Sequence, residues 1–240
     1  MPKITNVSVT GLERSIYRSG YSFMTVPPGK EIFDQNIFEI EDAIKKYESA
    51  VSYGDENPSE ILRENPHIKR AIRLSNVKSA GEDQFLTGIK VDFDLTIALK
   101  AWTQLQRYKF MDFVSSFSLM HRATKMDIGN GCNKYVYGNS IDTVNKLLER
   151  HNDAKEGGDA ELEKQARLEL LYNIPVGFEL TAGMSTNYRC LKNMYSQRRR
   201  HFLPDWQYIC DWIETLPLAG YLITGKEVSD EKTGNGSGLQ

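Results

Sequence analysis

Two stretches of alternating hydrophobic and polar residues predict β-strands. From residue 89 to residue 95, Ile, Val, Phe and Leu alternate with lysine and aspartate, which is the period of a strand with one buried face. Residues 3–9 alternate less regularly but are rich in β-branched side chains, so they predict a first strand. The segment 21–30 contains Pro27-Pro28-Gly29, which breaks regular structure and predicts a loop.

Helical spacing of apolar residues accounts for most of the remaining chain. The segment 38–53 has the pattern of an amphipathic helix with charged residues between its apolar positions. Ser140 and Asp159 are residue types that cap helix N-termini, and each precedes a segment of this kind. The segment 110–124 is also predicted to be helical. The other predicted helices are 12–18, 67–74, 96–106, 141–151, 160–172, 187–200 and 206–216.

These elements fit a single α/β domain over residues 1–225 of the 240-residue chain, with helical insertions at about 31–75 and 140–172. Beyond residue 225 the chain is mostly Ser, Asp, Glu, Lys, Gly and Asn. Such a composition cannot bury a core, so residues 226–240 are predicted to be a disordered tail. The last five residues, Gly-Ser-Gly-Leu-Gln, are excluded from the fold prediction.

The overall composition is that of a soluble globular protein, with 40% hydrophobic and 26% charged residues. A formal net charge of -2 gives no general attraction to nucleic acid, so any anion-binding site has to be built locally. No run of about 18 apolar residues is present, which excludes a membrane span. The polar N-terminus lacks the apolar core of a signal peptide. We therefore expect a cytoplasmic protein that binds neither nucleic acid nor membrane.

The three cysteines predict reduced thiols rather than a metal site. Cys132, Cys190 and Cys210 form no Cys-x-x-Cys pair and have no histidine at metal-ligand spacing. The sequence also contains no P-loop, no Gly-x-Gly-x-x-Gly and no nucleophile elbow. These absences leave no metal ligands and no catalytic residue to assign.

Polar residues lie on both sides of the predicted helix at 187–200. This arrangement indicates a helix between two sites, or between a site and a subunit interface. The alternative is a basic helix end in solvent, because cations are favoured at helix C-termini. At about 100° per residue, one face carries Asn187, Leu191 and Arg198, and the opposite face carries Arg189, Asn193 and Arg200.

The segment 104–122 combines cations, hydroxyl groups and aromatic rings. Arginine and hydroxyl side chains bind phosphate, and aromatic rings can hold a planar ring between them. The alternative is an amphipathic core helix in which Phe110, Phe113, Val114 and Phe117 provide packing. His121 could act as a general base, although a single histidine among phenylalanines and methionines is more often structural.

The C-terminal half of the chain resembles the flavin-dependent thymidylate synthases. That family carries Asn-x-Arg-x-Leu-x-Asn/His-x-x-x-x-Arg between a strand that begins with proline and a helix that contains tryptophan. The matching flanks here are Pro175 and Trp206. The matching motif residues are Asn187, Arg189, Leu191, Asn193 and Arg198.

A second family motif begins Gln-Leu-x-Arg-His-Arg, where this chain has Gln104-Leu105-Gln106-Arg107-Tyr108-Lys109. About three inserted residues bring Ser115 and Arg122 into the first-serine and last-arginine places that follow. Arg167 matches a family arginine but lies four residues further from the proline. The family's Gly-His-Glu and Leu-Glu-His become Gly81-Glu82-Asp83 and Leu86-Thr87-Gly88, so both histidines are absent.

The resemblance implies an α/β fold with a mixed sheet and a helical layer, and a homotetramer whose active sites lie between subunits. It also implies bound FAD, dUMP as substrate, and methylenetetrahydrofolate and NADPH as co-substrates. In the family, reduced flavin relays the one-carbon unit and supplies hydride without a cysteine nucleophile. The implied substrate-binding residues are Gln104, Ser115, Arg122, Arg167 and Arg198. The implied FAD-binding residues are Arg107, Tyr108, Lys109, Asn187, Arg189 and Asn193.

The departures from the family pattern fall within the flavin and substrate motifs, so two other functions stay open. One is a protein of the same fold that has lost thymidylate synthesis and binds a nucleotide or a partner. The other is an enzyme of the same fold that modifies a different pyrimidine nucleotide.

Overall fold

The computed structural model describes residues 1–77 and 81–228. Within these residues, runs of helices separate the strands along the chain. The strands are β1 (Lys3–Thr10), β2 (Lys90–Ala98), β3 (Asp112–Ser116) and β4 (Glu179–Asn187). The helices are α1 (Leu12–Arg18), α2 (Lys30–Tyr53), α3 (Ser59–Glu64), α4 (Pro66–Ser75), α5 (Leu99–Leu105), α6 (Leu119–Arg122), α7 (Gly138–Glu156), α8 (Ala160–Asn173), α9 (Tyr188–Arg198) and α10 (Pro204–Glu214).

Across the described residues, the strands form a four-stranded antiparallel sheet in the order β1-β2-β4-β3. The α/β fold is confirmed, but the expected mixed sheet is antiparallel instead. β3 and β4 pair with Asp112 opposite Ser185 and Ser116 opposite Ala182, and an irregularity between Phe113 and Ser115 shifts the register. β3 is thus an edge strand with a bulge, a device that twists an edge and limits further pairing.

The alternation at 89–95 corresponds to β2, where Val91, Phe93, Leu95 and Ile97 are buried and the residues between them are more exposed. This prediction is confirmed. The strand runs on to Ala98, so the helix predicted at 96–106 begins only at Leu99. β-branched residues at 96 and 97 favour the strand over the helix at this boundary.

Two helix starts follow from capping residues in the sequence. Asp159 accepts a hydrogen bond from the amide of Leu162 at 3.0 Å and caps α8, as predicted. Asn65 caps α4 by accepting from two amides, and Pro66 occupies the first helical position, which needs no amide donor. Ser140, by contrast, lies inside α7, because that helix begins at Gly138.

The predicted helix at 110–124 is wrong except at its C-terminal end, where Leu119–Arg122 are helical. Phe110 has a positive φ of 67°, which a helix does not allow, and the residues that follow form β3 and α6 instead. The side chains assigned to a core are exposed, since Phe113 is 43%, Val114 71% and Phe117 62% accessible. Pairing with β4 therefore overrides the helical spacing, and aromatic and β-branched residues suit a strand.

One compact unit consists of Met1–Val7, Asp92–Ser185 and His201–Tyr208. It contains β3 and most of the other strands. Its helices α7 and α8 pack against each other. A cluster of Ala123, Ile128, Val144, Leu170 and Phe178 forms a core beside this helix pair.

The other compact unit consists of Ser8–Val91, Thr186–Arg200 and Ile209–Gln240. Its helix α1 packs against α2 and α4. Fully buried side chains from successive helices form its core, among them Ile16, Ile40, Leu62, Ile68 and Tyr188. The single-domain assignment over 1–225, with its two helical insertions, stays a prediction.

The predicted tail is described only at its start. Lys226–Val228 form a helical turn. Lys226 pairs with Glu214 at 2.7 Å, and Glu227 accepts a hydrogen bond from Tyr47 at 3.3 Å. Residues 229–240 lie outside the described residues. No described helix is both long enough and apolar enough to cross a membrane.

Candidate functional site

Asn187, an expected flavin-binding residue, caps a helix. Its side-chain oxygen accepts a hydrogen bond from the amide of Cys190 at 3.0 Å, and only 4% of Asn187 is accessible. Asparagine is among the residue types preferred for this role. This side-chain oxygen therefore fixes the junction between β4 and α9.

Arg189, another expected flavin-binding residue, is held by side chains of the same compact unit. Its Nε donates to Asp83 Oδ1 at 3.2 Å, and its Nη1 donates to Gln84 Oε1. Lys192 Nζ donates to the other oxygen of Asp83 at 2.8 Å and to the carbonyl of Ser75. One carboxylate thus binds two cations on the first turns of α9, an arrangement the sequence analysis missed.

The basic run that ends α9 divides into residues with different surroundings. Arg199, at the C-terminal end of α9, is ion-paired with Asp211 at the surface and lies 3.6 Å from Glu214. Arg198 is half-buried at the last position of the helix, and Arg200 is exposed. Asn193 is also exposed on α9. The structure thus separates Arg198 from Arg199, as the helical geometry predicts.

A cleft of about 890 Å³ lies in the same compact unit, and we call it the arginine cleft. Two guanidinium groups, hydroxyls and phenyl rings line it, together with the carboxylate of Glu82. This combination suits a ligand that carries phosphate and a planar ring. Its lining includes Arg18, Ser19, Ser22, Phe23, Arg73 and Phe85.

The sequence analysis assigned none of these cleft residues. They come from three separate segments, around residues 18–23, 73–77 and 81–85, and no motif joins them. The segment 81–85 includes Gly81-Glu82-Asp83, the positions at which the family motif is altered. That alteration was the only signal in the sequence that pointed to this region.

One wall of the arginine cleft is held by Arg70. Its Nε donates to the Ser19 hydroxyl at 3.2 Å, and its Nη2 donates to the Tyr17 carbonyl at 3.1 Å. A Cβ at Gly20 would come within 2.5 Å of the Arg70 guanidinium carbon, so glycine allows this close packing. Arg70 therefore fixes the turn that carries Ser19 and Ser22.

His67 supports Arg70 in a defined tautomer. Arg70 Nη2 can only donate, so His67 Nδ1, at 3.1 Å, accepts. The proton then lies on His67 Nε2, which donates to Asn36 Oδ1 at 2.6 Å. Burial, and then the charge of Arg70, lower the pKa of His67, which keeps the ring neutral at pH 7.

In the first compact unit, two expected site residues meet at a buried tryptophan. Trp206 Nε1 donates to Gln104 Oε1 at 3.0 Å, and Trp206 is fully buried. The ring of Tyr108 lies 6.0 Å from the Trp206 ring between centroids. Gln104 and Tyr108 thus hold the side chain of Trp206 in position.

The other expected residues of this unit face solvent. Arg167 Nη2 donates to the Met120 carbonyl at 2.6 Å, which brings it beside α6, the helix that ends at Arg122. Arg107 and Arg122 are exposed and make no side-chain ion pair within the described part of the chain. Ser115 and Lys109 are exposed too. Arg167 therefore lies beside the helix that carries Arg122, whereas Ser115 lies on β3.

The described thiols do not form a metal site or an activated nucleophile. Burial, followed by the charge of Glu179, raises the pKa of Cys132. Burial raises the pKa of Cys210 to about 11. The thiolate, not the thiol, is the reactive form. Among the described residues, no group of His, Cys, Asp and Glu is arranged to hold a metal ion.

Comparison with known proteins identifies the fold. No protein-family profile and no curated protein matches the chain. Among solved structures, the chain is similar to the flavin-dependent thymidylate synthase ThyX of Helicobacter pylori in complex with FAD and dUMP, at 13% identity and a TM-score of 0.56. This match covers 92% of the present chain and 99% of the other. A second structure of Helicobacter pylori ThyX with FAD and dUMP gives 15% identity, a TM-score of 0.53, and coverages of 94% and 98%.

The chain therefore has the fold of the flavin-dependent thymidylate synthases, over nearly its whole length. The resemblance predicted from the sequence is confirmed for the fold. At this level of identity the similarity extends to the fold alone, because one fold can host several functions.

Proposed function

We propose that this chain is a flavin-dependent enzyme that transfers a one-carbon unit from methylenetetrahydrofolate to dUMP, with FAD as cofactor and NADPH as reductant. The arginine cleft carries this proposal, because it combines cations, hydroxyls and aromatic rings on a chain with the thymidylate synthase fold. The Helicobacter pylori structures of this fold contain FAD and dUMP.

The arginine cleft fits FAD in size and chemistry. Its volume of about 890 Å³ is in the range of pockets that bind cofactors. Arg18 and Arg73 would hold the diphosphate by charge-assisted bonds, with the Ser22 hydroxyl as a further donor. Phe23 and Phe85 would contact a planar ring. Reduced FAD, when bound, supplies the hydride that completes the transfer.

Exposed cations of the first compact unit are the proposed residues for the nucleotide phosphate. Arg107 and Arg122 have no competing ion pair among the described residues, so no internal partner has to be displaced. Arg167 lies close to the helix that carries Arg122. Arg198 belongs to the other compact unit, and it is proposed separately, by its match to the family motif.

A second candidate function is favoured by the surroundings of Arg189. The family resemblance assigns the Arg189 guanidinium group to FAD binding. In this chain, two nitrogens of that group instead donate hydrogen bonds to Asp83 and Gln84. A protein of this fold that binds a nucleotide without thymidylate synthesis would tolerate that loss. An enzyme that modifies another pyrimidine nucleotide would tolerate it only if the arginine cleft alone holds the flavin.

We also infer that further copies of the chain pack against the apolar side chains exposed on and beside β3, which suits the implied homotetramer. Val114 on this edge strand is 71% accessible, and Phe110, Phe117 and Met120 beside it are more than 60% accessible. Clustered exposed apolar side chains are typical of protein interfaces. Light scattering should therefore give a tetramer. A clean monomer at micromolar concentration would argue against active sites shared between subunits.

Binding of FAD tests the proposal, and α1 offers a matched control. Arg14 and Arg18 both lie on α1, and their guanidinium carbons lie 5.7 and 5.8 Å from the Phe33 ring centroid. Only Arg18 of this pair lines the arginine cleft. Arg18→Ala should weaken FAD binding about ten- to a hundredfold, since it removes one charge-assisted contact. Arg14→Ala should leave the affinity within about twofold.

Calorimetry and the flavin absorbance spectrum give the two readouts. Equal effects of the two substitutions would show that any flavin binds elsewhere. No heat and no spectral shift with excess FAD would remove the cofactor from the proposal, and the binding protein would then be the better account.

A further inference from the structure

A second cleft, of about 700 Å³, lies in the first compact unit, and we call it the tyrosine cleft. Three aromatic side chains that line it stand largely in solvent: Tyr135 is 65%, Tyr137 84% and Phe202 91% accessible. Val176, also in the lining, is 64% accessible. None of the residues proposed above for flavin or nucleotide binding is in the lining of this cleft within the described part of the chain.

Backbone hydrogen bonds fix the walls of the tyrosine cleft. The amide of Asn133 donates to the Gly177 carbonyl at 2.9 Å, and the amide of Lys100 donates to the Val176 carbonyl at 2.9 Å. Asp205 closes another part of the lining, since its carboxylate accepts from the Ala98 amide at 3.1 Å and is buried. A cleft with such walls exists before a ligand arrives, so little ordering entropy is lost on binding.

Glycine at position 177 allows the two sides of this wall to meet. A Cβ at Gly177 would lie 2.4 Å from Val136 Cγ2 and 3.0 Å from Asn133 Oδ1. Any larger residue would displace the side chain of Val136, which lies between Tyr135 and Tyr137 in the loop. The close approach therefore sets where the aromatic rings stand.

The charge at the rim is positive. Lys100 is exposed, lines the cleft and forms no ion pair within the described residues. Lys134 lies in sequence between the lining residues Asn133 and Tyr135, with its Nζ 5.3 Å from the Tyr135 ring centroid. The only carboxylate in the lining among the described residues, Asp205, is buried against the Ala98 amide. An anionic ligand is thus attracted, whereas a cationic one is not.

We propose that the tyrosine cleft binds a planar aromatic ligand that carries a negative charge. The rings of Tyr135, Tyr137 and Phe202 supply apolar and edge-to-face contacts for its ring system. Lys100 attracts the anionic group. The volume matches that of pockets for small organic molecules.

A pair of probes that differ only in charge tests this proposal. The full chain is titrated with 1-naphthoate and with neutral 1-naphthamide, and binding is measured by calorimetry. The wild type should bind naphthoate about two- to fivefold more tightly, as expected for an exposed ion pair. Lys100→Met, which keeps an unbranched apolar stem, should remove this difference and leave naphthamide binding unchanged.

Phe202→Ala should weaken both probes about three- to tenfold, because it removes one aromatic contact. Phe202 is 91% accessible, so the substitution removes no buried packing. Phe38→Ala, at an aromatic residue that is 68% accessible and outside the lining, is the matched control and should change neither affinity. Gly177→Ala should weaken both probes while circular dichroism shows a folded chain.

Three results would overturn the proposal. The wild type could show no saturable binding of either probe at millimolar concentration. Phe202→Ala and Phe38→Ala could have equal effects. Finally, the wild type could bind neither probe while Phe202→Ala causes the oligomer to dissociate. That result would show that a second copy of the chain, not a small anion, covers this cleft.

Discussion

Replacing Asp83 with asparagine should destabilise the chain more than any comparable change at a surface ion pair. Asp83 accepts from Arg189 Nε at 3.2 Å and from Lys192 Nζ at 2.8 Å, and its side chain is only 20% accessible. Lys192 is 23% accessible and Arg189 34%. The substitution keeps the shape of the side chain but leaves two partly buried cations without their negative partner.

The size of the effect follows from this partial burial. Exposed ion pairs contribute about 0.2–1 kcal/mol, whereas breaking a fully buried pair costs about 3–5 kcal/mol. Asp83 lies between these limits and serves two cations, while one amide oxygen still accepts a hydrogen bond in the variant. We expect a loss of about 2 kcal/mol in the free energy of unfolding. For a chain of this length, that lowers Tm by about 4–8 °C.

Urea unfolding followed by circular dichroism measures this loss. Asp211→Asn is the matched control, because Asp211 also pairs with an arginine but is 64% accessible, so its loss should stay below about 1 kcal/mol. A double-mutant cycle of Asp83→Asn with Lys192→Met should give a coupling energy of about 1 kcal/mol. Equal stabilities of the two asparagine variants would refute the reasoning, since Asp83 would then contribute no more than a surface charge.

Two further predictions concern residues in the same compact unit. Because burial and Arg70 lower the pKa of His67, the unfolded chain binds its proton at the higher pH. The stability contributed by neutral His67 is therefore complete above about pH 6.5 and is lost as the pH falls through and below that value. His67→Gln should flatten the dependence of the unfolding free energy on pH between about 7.5 and about 5.5, and an unchanged slope would exclude His67 as its source. Arg198→Ala should weaken nucleotide monophosphate binding about ten- to a hundredfold. Arg199→Ala should weaken it far less, because Arg199 is ion-paired within its unit; equal small losses in calorimetry would mean that the run is a diffuse basic patch.

Local signals in the sequence predicted the elements that depend on local physics. The alternation around Val91 predicted β2, and Asp159 predicted the start of α8. Both predictions were possible because the strand period and helix capping depend on residues only a few positions apart. The motif around Asn187 also predicted the fold correctly, over a chain with 13–15% identity to the solved structures. The spacing of a few motif residues is thus kept although the overall sequence identity is low.

Features that depend on distant residues could not be predicted in the same way. The helical spacing of Phe113 and Phe117 predicts a helix where the structure has β3. Only the pairing with β4 makes this segment a strand. The ion pair between Asp83 and Arg189 joins residues 106 positions apart, and no local pattern marks it. The arginine cleft unites three segments in the same manner, so its side chains become a candidate site only after folding.

The proposed reaction can be tested directly by product analysis. The purified chain is incubated with FAD, NADPH, methylenetetrahydrofolate and dUMP, and the nucleotides are separated by liquid chromatography with mass detection. The account predicts that dTMP appears, that its formation depends on added FAD, and that Arg18→Ala lowers the rate while Arg14→Ala does not. A chain that binds FAD and dUMP but returns dUMP unchanged, with every co-substrate present, would contradict it.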